Sequence, residues 1–261
     1  MQNGAKENEI DFQTKQQPMF DFVSSIQYPK NSFVIGANLG PMFSDDYPAR
    51  ITNTFKNYAH VTLRDYSSYC LVSNLSNVQY APDVIFMAPQ PPQTSAQENV
   101  VISVIDIARH SNNPNVHASY YALLRDTIIA FTSMNIAVVL VAFCKREGDE
   151  SAIRHLMDML PDSSLVSTHF YNGDIRATLS VISNASFVVA SRFHSMILGI
   201  SFGKPIFPIS YNCKTENYLN DLNFGGNYAT LSTLSETSFS DILYNYKNCI
   251  VTDCTYTVNV N

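Results

Sequence analysis

Short apolar runs alternate with amphipathic stretches along most of the chain, and this alternation predicts strands followed by helices. The clearest unit covers residues 186–214. Its apolar run at 187–190 indicates a buried strand, and the run at 206–209 indicates the next one. Between them, apolar side chains recur at the spacing of one helix face: Phe193, Met196, Ile197 and Ile200. The pattern therefore predicts a strand–helix–strand unit with parallel strands.

The same alternation divides the chain into two predicted domains and a leader. Residues 31–98 show a β–α–β–α–β series whose last short strands are predicted at 78–80 and 84–86. Residues 99–261 show a longer series with nearly continuous apolar strands, which opens with a strand predicted at 100–107 and a helix predicted at 120–134. Prolines and glutamines without apolar periodicity at 87–98 predict a linker. Residues 1–30 are polar and weakly periodic, which indicates a mobile leader. We expect an α/β protein with two Rossmann-like domains and parallel sheets, the N-terminal domain being incomplete by several elements.

Composition excludes several classes of function. The 261 residues are 46% hydrophobic and carry a net charge of −6, which argues against a general binder of nucleic acids or anionic membranes. Five scattered cysteines without a CxxC pair favour reduced thiols in the cytoplasm. The histidines lack carboxylates or cysteines at metal-ligand spacing, so neither a metal nor a cofactor is expected. No apolar run is long enough to span a membrane.

Positive groups gather at the start of the helix predicted after residue 190. Ser191 stands where a helix N-cap is expected, with Arg192 and His194 beside it. The positive end of the helix dipole favours an anion there, and Arg192 adds a fork-shaped charge suited to phosphate or carboxylate. Lys214 follows the next strand and returns to the same carboxyl edge, where open α/β folds bind their ligands. The sequence predicts an anion site.

Four blocks of the sequence also match a known pattern in the right order. The last block holds Arg-x-His at 192–194, Gly-x-Pro at 203–205 and Tyr-x-x-Lys at 211–214. The earlier blocks are Gly-Ala-Asn-Leu-Gly-Pro-Met-Phe at 36–43, Leu-Arg-Asp-Tyr-Ser-Ser at 63–68 and Ala-Pro-Asp-Val at 81–84. In this respect the chain resembles the polysaccharide pyruvyl transferase family.

The resemblance implies a GT-B-like arrangement of the two domains and a specific reaction. Pyruvate from phosphoenolpyruvate would be joined to two sugar hydroxyls as a ketal, in surface or extracellular polysaccharide biosynthesis. Arg64, Arg192 and Lys214 would bind the donor across the cleft between the domains. His194 would act as general acid; the helix dipole should depress its pKa when the site is empty, and a bound dianion should raise it.

The remaining site residues follow from the same resemblance. Asp65 is a candidate catalytic carboxylate, and Asp83 and Tyr211 are candidates for binding the acceptor. The acceptor sugar could be lipid-linked or nucleotide-linked, and the enzyme would work in the cytoplasm or at the inner face of the membrane. A homo-oligomer is left open.

Two other functions compete with this interpretation. One is a GT-B-type glycosyltransferase in which Arg192 and His194 hold a nucleotide sugar; no Glu-x7-Glu motif accompanies them. The other is a non-catalytic polysaccharide-assembly protein, suggested by the incomplete N-terminal domain.

Overall fold

The computed structural model of the chain describes residues 17–40, 45–89, 91–92 and 98–248. The chain forms two compact units, Met1–Val84 and Ile85–Asn261. The sequence predicts the domain boundary at 98/99, and the predicted linker lies partly outside the described residues. No helix within the described ranges is long and apolar enough to cross a membrane.

The first unit is built on three parallel strands in the order β1-β2-β3. Apolar side chains from its helices and strands form its core, with Ile51 and Phe55 packed among Val61, Leu63 and Val78. The strands are β1 (Phe33–Ala37), β2 (His60–Leu63) and β3 (Val78–Tyr80), and the helices are α1 (Gln17–Ser24), α2 (Tyr47–Phe55) and α3 (Tyr66–Val72).

Two segments of this region differ from the sequence prediction. Part of the predicted leader forms α1, and Val23 packs at the edge of the core while its carbonyl accepts a hydrogen bond from Tyr58 at 2.6 Å. The strand predicted at 84–86 is wrong: Val84–Met87 is a 3-10 helix. A run of only three apolar residues cannot by itself distinguish a strand from a helical turn.

The second unit contains a six-stranded parallel sheet in the order β6-β5-β4-β7-β8-β9. This is the order of a doubly wound Rossmann-type sheet, and its topological switch point lies between β4 and β7. The strands are β4 (Asn99–Ser103), β5 (Ala137–Ala142), β6 (Val166–Phe170), β7 (Phe187–Ala190), β8 (Ile206–Ser210) and β9 (Ala229–Thr230). The prediction of mixed α/β structure with parallel sheets is confirmed.

Helices cover both faces of this larger sheet, so its central strands are buried on both sides. One face packs against α4, α5 and α9, and the other against α6, α7 and α8. The helices are α4 (Pro114–Ser133), α5 (Asp149–Asp158), α6 (Ile175–Ser183), α7 (Phe193–Ser201), α8 (Cys213–Asp221) and α9 (Phe239–Lys247). Gly199 lets α7 lie close to the sheet, because a Cβ there would stand 2.8 Å from Ile206 Cγ2.

Two of the predicted bounds in this unit are wrong. The helix predicted at 120–134 begins six residues earlier, at Pro114, because Asn113 caps it through the backbone N–H of Asn115 at 3.0 Å. Proline suits this first position, since its missing N–H would have no partner within the helix. The strand predicted at 100–107 ends at Ser103, and a 3-10 helix, Ile107–Arg109, follows.

Candidate functional site

The backbone at the switch point is held by a buried polar network. The hydroxyl of Ser103, at the end of β4, accepts hydrogen bonds from the backbone N–H groups of Ser191 at 2.9 Å and Arg192 at 3.1 Å. Tyr120 donates to the Ser191 hydroxyl at 3.0 Å and accepts from the Ile105 N–H at 3.0 Å. The prediction that Ser191 caps α7 is therefore wrong: Ser191 is committed to this network, and Arg192 is the N-cap residue.

Arg192 does not extend into open solvent but is bound by two carboxylates. Its Nε donates to Asp149 Oδ2 at 2.9 Å, a terminal nitrogen donates to the other Asp149 oxygen, and the remaining one donates to Glu147. Burial alone would lower the pKa of Arg192, but these hydrogen bonds outweigh burial and the pKa is raised. The guanidinium is thus a fixed positive charge with a fixed orientation.

The two carboxylates reach the same arginine because the chain reverses between them. Gly148 adopts a φ of +84°, a conformation that glycine tolerates and other residues avoid. A Cβ at this position would lie 2.8 Å from Asp106 Oδ2. Both the backbone conformation and the packing therefore require glycine between Glu147 and Asp149.

A cavity of about 550 Å³ lies beside this cluster, within the second unit. Four residues predicted for the site line it together: Arg192, His194, Tyr211 and Lys214. Other parts of its wall are apolar or aromatic, in Ile85, Ala88, Phe143, Tyr171, Ile175, Leu179, Phe193 and Leu198. The lining thus combines cationic side chains with apolar and aromatic ones suited to an uncharged part of a ligand.

Tyr211 lines the cavity and also contacts a half-buried histidine. Its ring stacks on that of His110, with centroids 4.0 Å apart and the planes tilted by 34°. Burial raises the pKa of Tyr211, so its hydroxyl keeps its proton at neutral pH. Burial also lowers the pKa of His110, and the nearby Arg192 charge lowers it further, which favours a neutral ring. The pair is therefore uncharged at neutral pH.

Lys214 stands in the first turn of α8, where the helix dipole disfavours a positive charge. Its amino group lies 5.5 Å from the centroid of the Phe193 ring, at cation–π distance. Asn212 caps the same helix by accepting from the Thr215 N–H at 3.3 Å. A lysine in the first turn of a helix departs from the usual residue preference, and such departures concentrate at functional sites. This position therefore favours a binding role for Lys214.

His194 is exposed at the second position of α7. Its ring meets the edge of Phe193, with centroids 5.8 Å apart. The side chain lines the same cavity as Arg192 and Lys214. Its predicted role as a general acid stays a prediction.

In the first unit, Arg64 and Asp83 form a buried ion pair. Arg64 also donates to the side-chain oxygen of Asn38 at 3.1 Å. The sequence resemblance predicts that both residues contact substrates. Arg64 would bind the donor, phosphoenolpyruvate, and Asp83 would bind the acceptor sugar. Their pairing gives both residues a structural role, and the ligand contacts stay predictions.

Asp65 also has a structural role. Its carboxylate caps α3 by accepting from the Ser68 backbone N–H at 2.8 Å and from the Ser68 hydroxyl at 2.7 Å. Asp65 is buried, as is Ser68. A carboxylate engaged in this way stabilises the helix start, and its catalytic role stays a prediction.

The sequence model of the polysaccharide pyruvyl transferase family matches residues 19–212. The chain belongs to this family. The match includes Arg192, His194 and Tyr211, and Lys214 lies two residues beyond it. A comparison with curated protein sequences gives no match.

Solved structures similar to this pyruvyl transferase family member include nucleotide-sugar enzymes. The UDP-GlcNAc 2-epimerase of Methanocaldococcus jannaschii matches with 9% identity and a TM-score of 0.58, over 85% of this chain and 64% of the epimerase. The epimerase of Neisseria meningitidis, bound to UDP-GlcNAc, matches with 11% identity and a TM-score of 0.51, over 91% and 75%. TarM matches with 11% identity and a TM-score of 0.51, over 84% and 44%. At these identities the likenesses show a GT-B-like fold, and the chain spans less than two thirds of the first epimerase and of TarM.

Sequence reasoning missed the residues that hold Arg192 in this pyruvyl transferase family member. Glu147 and Asp149 lie in the run Lys-Arg-Glu-Gly-Asp-Glu at 145–150, which has the composition of a solvated loop. A usable signal was present, because this run directly follows the buried strand β5 and parallel strands end at one sheet edge. Ser103 and His110 gave no comparable signal. Among the described residues, no group of three or more His, Cys, Asp or Glu side chains could hold a metal ion.

Proposed function

We propose that this chain transfers pyruvate from phosphoenolpyruvate to two hydroxyls of a sugar, forming a cyclic ketal during polysaccharide biosynthesis. Membership of the pyruvyl transferase family supports the reaction class. The observation that carries the proposal is the cavity at the switch point, which Arg192, His194 and Lys214 line together. Open α/β sheets bind ligands at this location.

The donor carries a phosphate and a carboxylate, and the cavity offers complementary groups for both. Arg192 presents a fork-shaped cation and Lys214 a compact one, which suits a small dianion. The start of α7 adds the positive end of a helix dipole. These three contributions support phosphoenolpyruvate as the donor.

His194 would supply the proton that starts the reaction. Protonation of C3 of phosphoenolpyruvate makes C2 electrophilic, and a first sugar hydroxyl adds to C2 and loses its proton. The bond between C2 and the phosphate oxygen then breaks, and its electron pair leaves with the phosphate. A second hydroxyl adds to C2 and closes the ring, and its proton passes to the departing phosphate. One donor and one sugar diol therefore give one ketal and one inorganic phosphate. The proton lost by the first hydroxyl can restore His194.

The cavity has room for more than the donor. Its volume of about 550 Å³ lies within the range of pockets for drug-sized ligands, roughly 300–1,000 Å³, whereas phosphoenolpyruvate is much smaller. Tyr171 and Tyr211 line it and could stack on a sugar ring. Tyr211 is accordingly our candidate for binding the acceptor from this unit.

Three residues of the first unit enter the proposal through the resemblance alone. Arg64 would be a further donor cation, Asp65 a catalytic carboxylate, and Asp83 a contact to the acceptor. Each already has a partner within its own unit, so a ligand contact would have to add to or replace these bonds. A lipid-linked or nucleotide-linked acceptor and a location in the cytoplasm or at the inner membrane face also stay predictions, and a homo-oligomer stays open.

A transfer assay tests the proposal. The purified chain is incubated with phosphoenolpyruvate and a panel of free, nucleotide-linked and lipid-linked sugars. The expected product gains the mass of pyruvate less one water, with one phosphate released per ketal. His194→Ala should abolish both, and His155→Ala, an exposed histidine on α5, is the matched control.

Two other results would replace the proposal. Transfer of a sugar from a nucleotide sugar, with phosphoenolpyruvate inert, would support the glycosyltransferase alternative. Absence of both binding and transfer for all donors would instead support a non-catalytic assembly role.

A further inference from the structure

The guanidinium of Arg192 is bound at opposite edges by two carboxylates in different environments. Asp149 takes the edge formed by Nε and one terminal nitrogen, in the bidentate geometry that binds arginine most specifically. Glu147 takes the other terminal nitrogen with one oxygen. Glu147 and Arg192 both line the cavity. The arginine therefore meets the cavity on the side that Glu147 occupies.

Asp149 is fixed in place. Its side chain is fully buried, and besides its two bonds to Arg192 it accepts from the backbone N–H groups of Phe143 at 3.2 Å and Cys144 at 2.9 Å. Moving it would break four hydrogen bonds and leave a buried positive charge without a partner. Asp149 can orient the guanidinium but cannot give way to a ligand.

Glu147 is held far less firmly. Its side chain is 47% exposed, and the described structure gives its carboxylate one hydrogen-bond partner, Arg192. It is the last residue of the 3-10 helix Lys145–Glu147 and precedes Gly148. An ion pair with a half-exposed carboxylate of this kind contributes little to stability. Glu147 can therefore leave Arg192 at low cost.

The charges at the cluster favour such a movement when an anion binds. One arginine and two carboxylates sum to a net negative charge, which repels a phosphate or carboxylate in the cavity. If the ligand replaces Glu147 at the terminal nitrogen, the arginine keeps two anionic partners and its hydrogen bonds. The repelling charge moves out to solvent. Exchange of one anion for another thus removes the obstacle to binding.

We propose that Glu147 fills the anion subsite of Arg192 in the empty cavity and is displaced by the donor, while Asp149 stays bound and positions the guanidinium. This inference rests on the proposed function for the identity of the donor, though not for the displacement itself. Two carboxylates on one arginine then have opposite effects on binding. Glu147 competes with the ligand, and Asp149 supports it.

Isothermal titration of the full chain with three probes tests this: inorganic phosphate, phosphoenolpyruvate and UDP-N-acetylglucosamine. Glu147→Gln should tighten the binding of each probe that binds by about fivefold, because it removes a charge that competes with the probe. A fivefold change in affinity corresponds to about 1 kcal/mol of binding free energy. Asp149→Asn should weaken the binding of the same probes. Glu150→Gln is the matched control, because Glu150 pairs with Arg154 and should leave affinity unchanged.

A second readout remains valid if Asp149→Asn fails to fold. The carboxyl carbon resonance of Glu147 in wild-type protein, assigned by its loss in Glu147→Gln, should move towards the position of a solvated glutamate when a probe saturates the site. A purely structural role for Glu147 would leave this resonance unchanged.

The outcomes separate the inference from the proposed function. Tighter binding of UDP-N-acetylglucosamine to Glu147→Gln, with phosphoenolpyruvate not binding, would keep the displacement and reject the donor. Unchanged or weaker binding of every probe to Glu147→Gln would overturn the inference. It is equally overturned if no probe binds either the wild type or Glu147→Gln.

Discussion

Arg64 and Arg192 occupy equivalent places in the two units but differ in their counter-ions. Each follows a parallel strand, and each side chain is 11% exposed. Asp83, the partner of Arg64, is 2% exposed, whereas Arg192 has one fully buried partner and one, Glu147, that is 47% exposed. An arginine motif alone therefore does not define an anion site. The exposure of its counter-carboxylate decides whether a ligand can replace that partner.

The largest expected effect concerns the buried pair in the first unit. Arg64→Ala should lower the free energy of unfolding by about 3–5 kcal/mol, because it leaves Asp83 charged and buried without its partner. Urea unfolding followed by circular dichroism measures the loss. Replacing both partners, Arg64→Met with Asp83→Leu, should restore most of the stability.

A different result would break the comparison between the two arginines. If Arg64→Ala unfolds like the wild type but no longer binds phosphoenolpyruvate, Arg64 is a donor-binding residue, as the sequence resemblance implies. The distinction drawn from counter-ion exposure would then fail.

The next effect concerns the chain reversal that brings Glu147 and Asp149 to one arginine. Gly148→Ala should cost about 1–3 kcal/mol, since alanine is strained at a φ of +84° and its Cβ would meet Asp106. Thermal unfolding measures this cost. Gly225→Ala is the control, because a Cβ there meets open space. Equal stability of the two variants would contradict the packing described at Gly148.

A variant of Lys214 tests whether the cavity beside Arg192 contains a second cation that binds the anion. Lys214→Met should weaken binding of phosphoenolpyruvate by about tenfold, from loss of one charge-assisted contact. Stability should change by less than about 0.5 kcal/mol, because loss of the contact with Phe193 is offset by removal of a cation from a helix start. Loss of stability with unchanged affinity would make Lys214 structural. Lys204→Met, a half-buried lysine outside the cavity, is the control.

The smallest effect is a pH dependence at Glu147. The hydrogen bond from Arg192 is the main cause that lowers the pKa of Glu147 below its ordinary value of 4.5. A carboxyl whose pKa is lower in the folded state stabilises above the unfolded-state pKa and loses that contribution as pH falls through the folded-state value. The melting temperature of wild type should therefore slightly exceed that of Glu147→Gln at pH 7.

This difference should shrink as pH falls below 4.5 and disappear once pH is below the lowered pKa of folded Glu147, where the carboxyl is protonated in both states. Melting curves of both proteins between pH 3 and pH 7 provide the measurement. A constant difference across this range would show that the Arg192 contact does not depend on the charge of Glu147.

The site could be predicted from sequence only where strand topology determines it. Arg192, Tyr211 and Lys214 each follow a strand, and parallel strands end at one edge, so their meeting at one cavity follows from the alternation pattern. The pairing of Arg192 with Asp149 spans 43 residues and depends on the turn at Gly148. Nothing in a charged run reveals which carboxylate is buried.

In the fold, too, some features follow from the hydrophobic pattern of the sequence and others depend on contacts between distant residues. Buried strands of the larger sheet were predicted because they are continuously apolar. The bounds of β7 also follow from its apolar run, whereas the end of β4 does not, because it depends on the hydroxyl of Ser103 and its bonds to the turn after β7. Such contacts between distant residues leave no local signal.

The central claim is that the cavity beside Arg192 binds phosphoenolpyruvate, and isothermal titration tests it most directly. The wild type should bind, and Arg192→Lys, which keeps a charge for Asp149 but loses the fork, should bind at least about tenfold more weakly. His194→Ala should still bind, because its predicted role lies in proton transfer. Failure of the wild type to bind, or equal affinity in Arg192→Lys, would contradict the account.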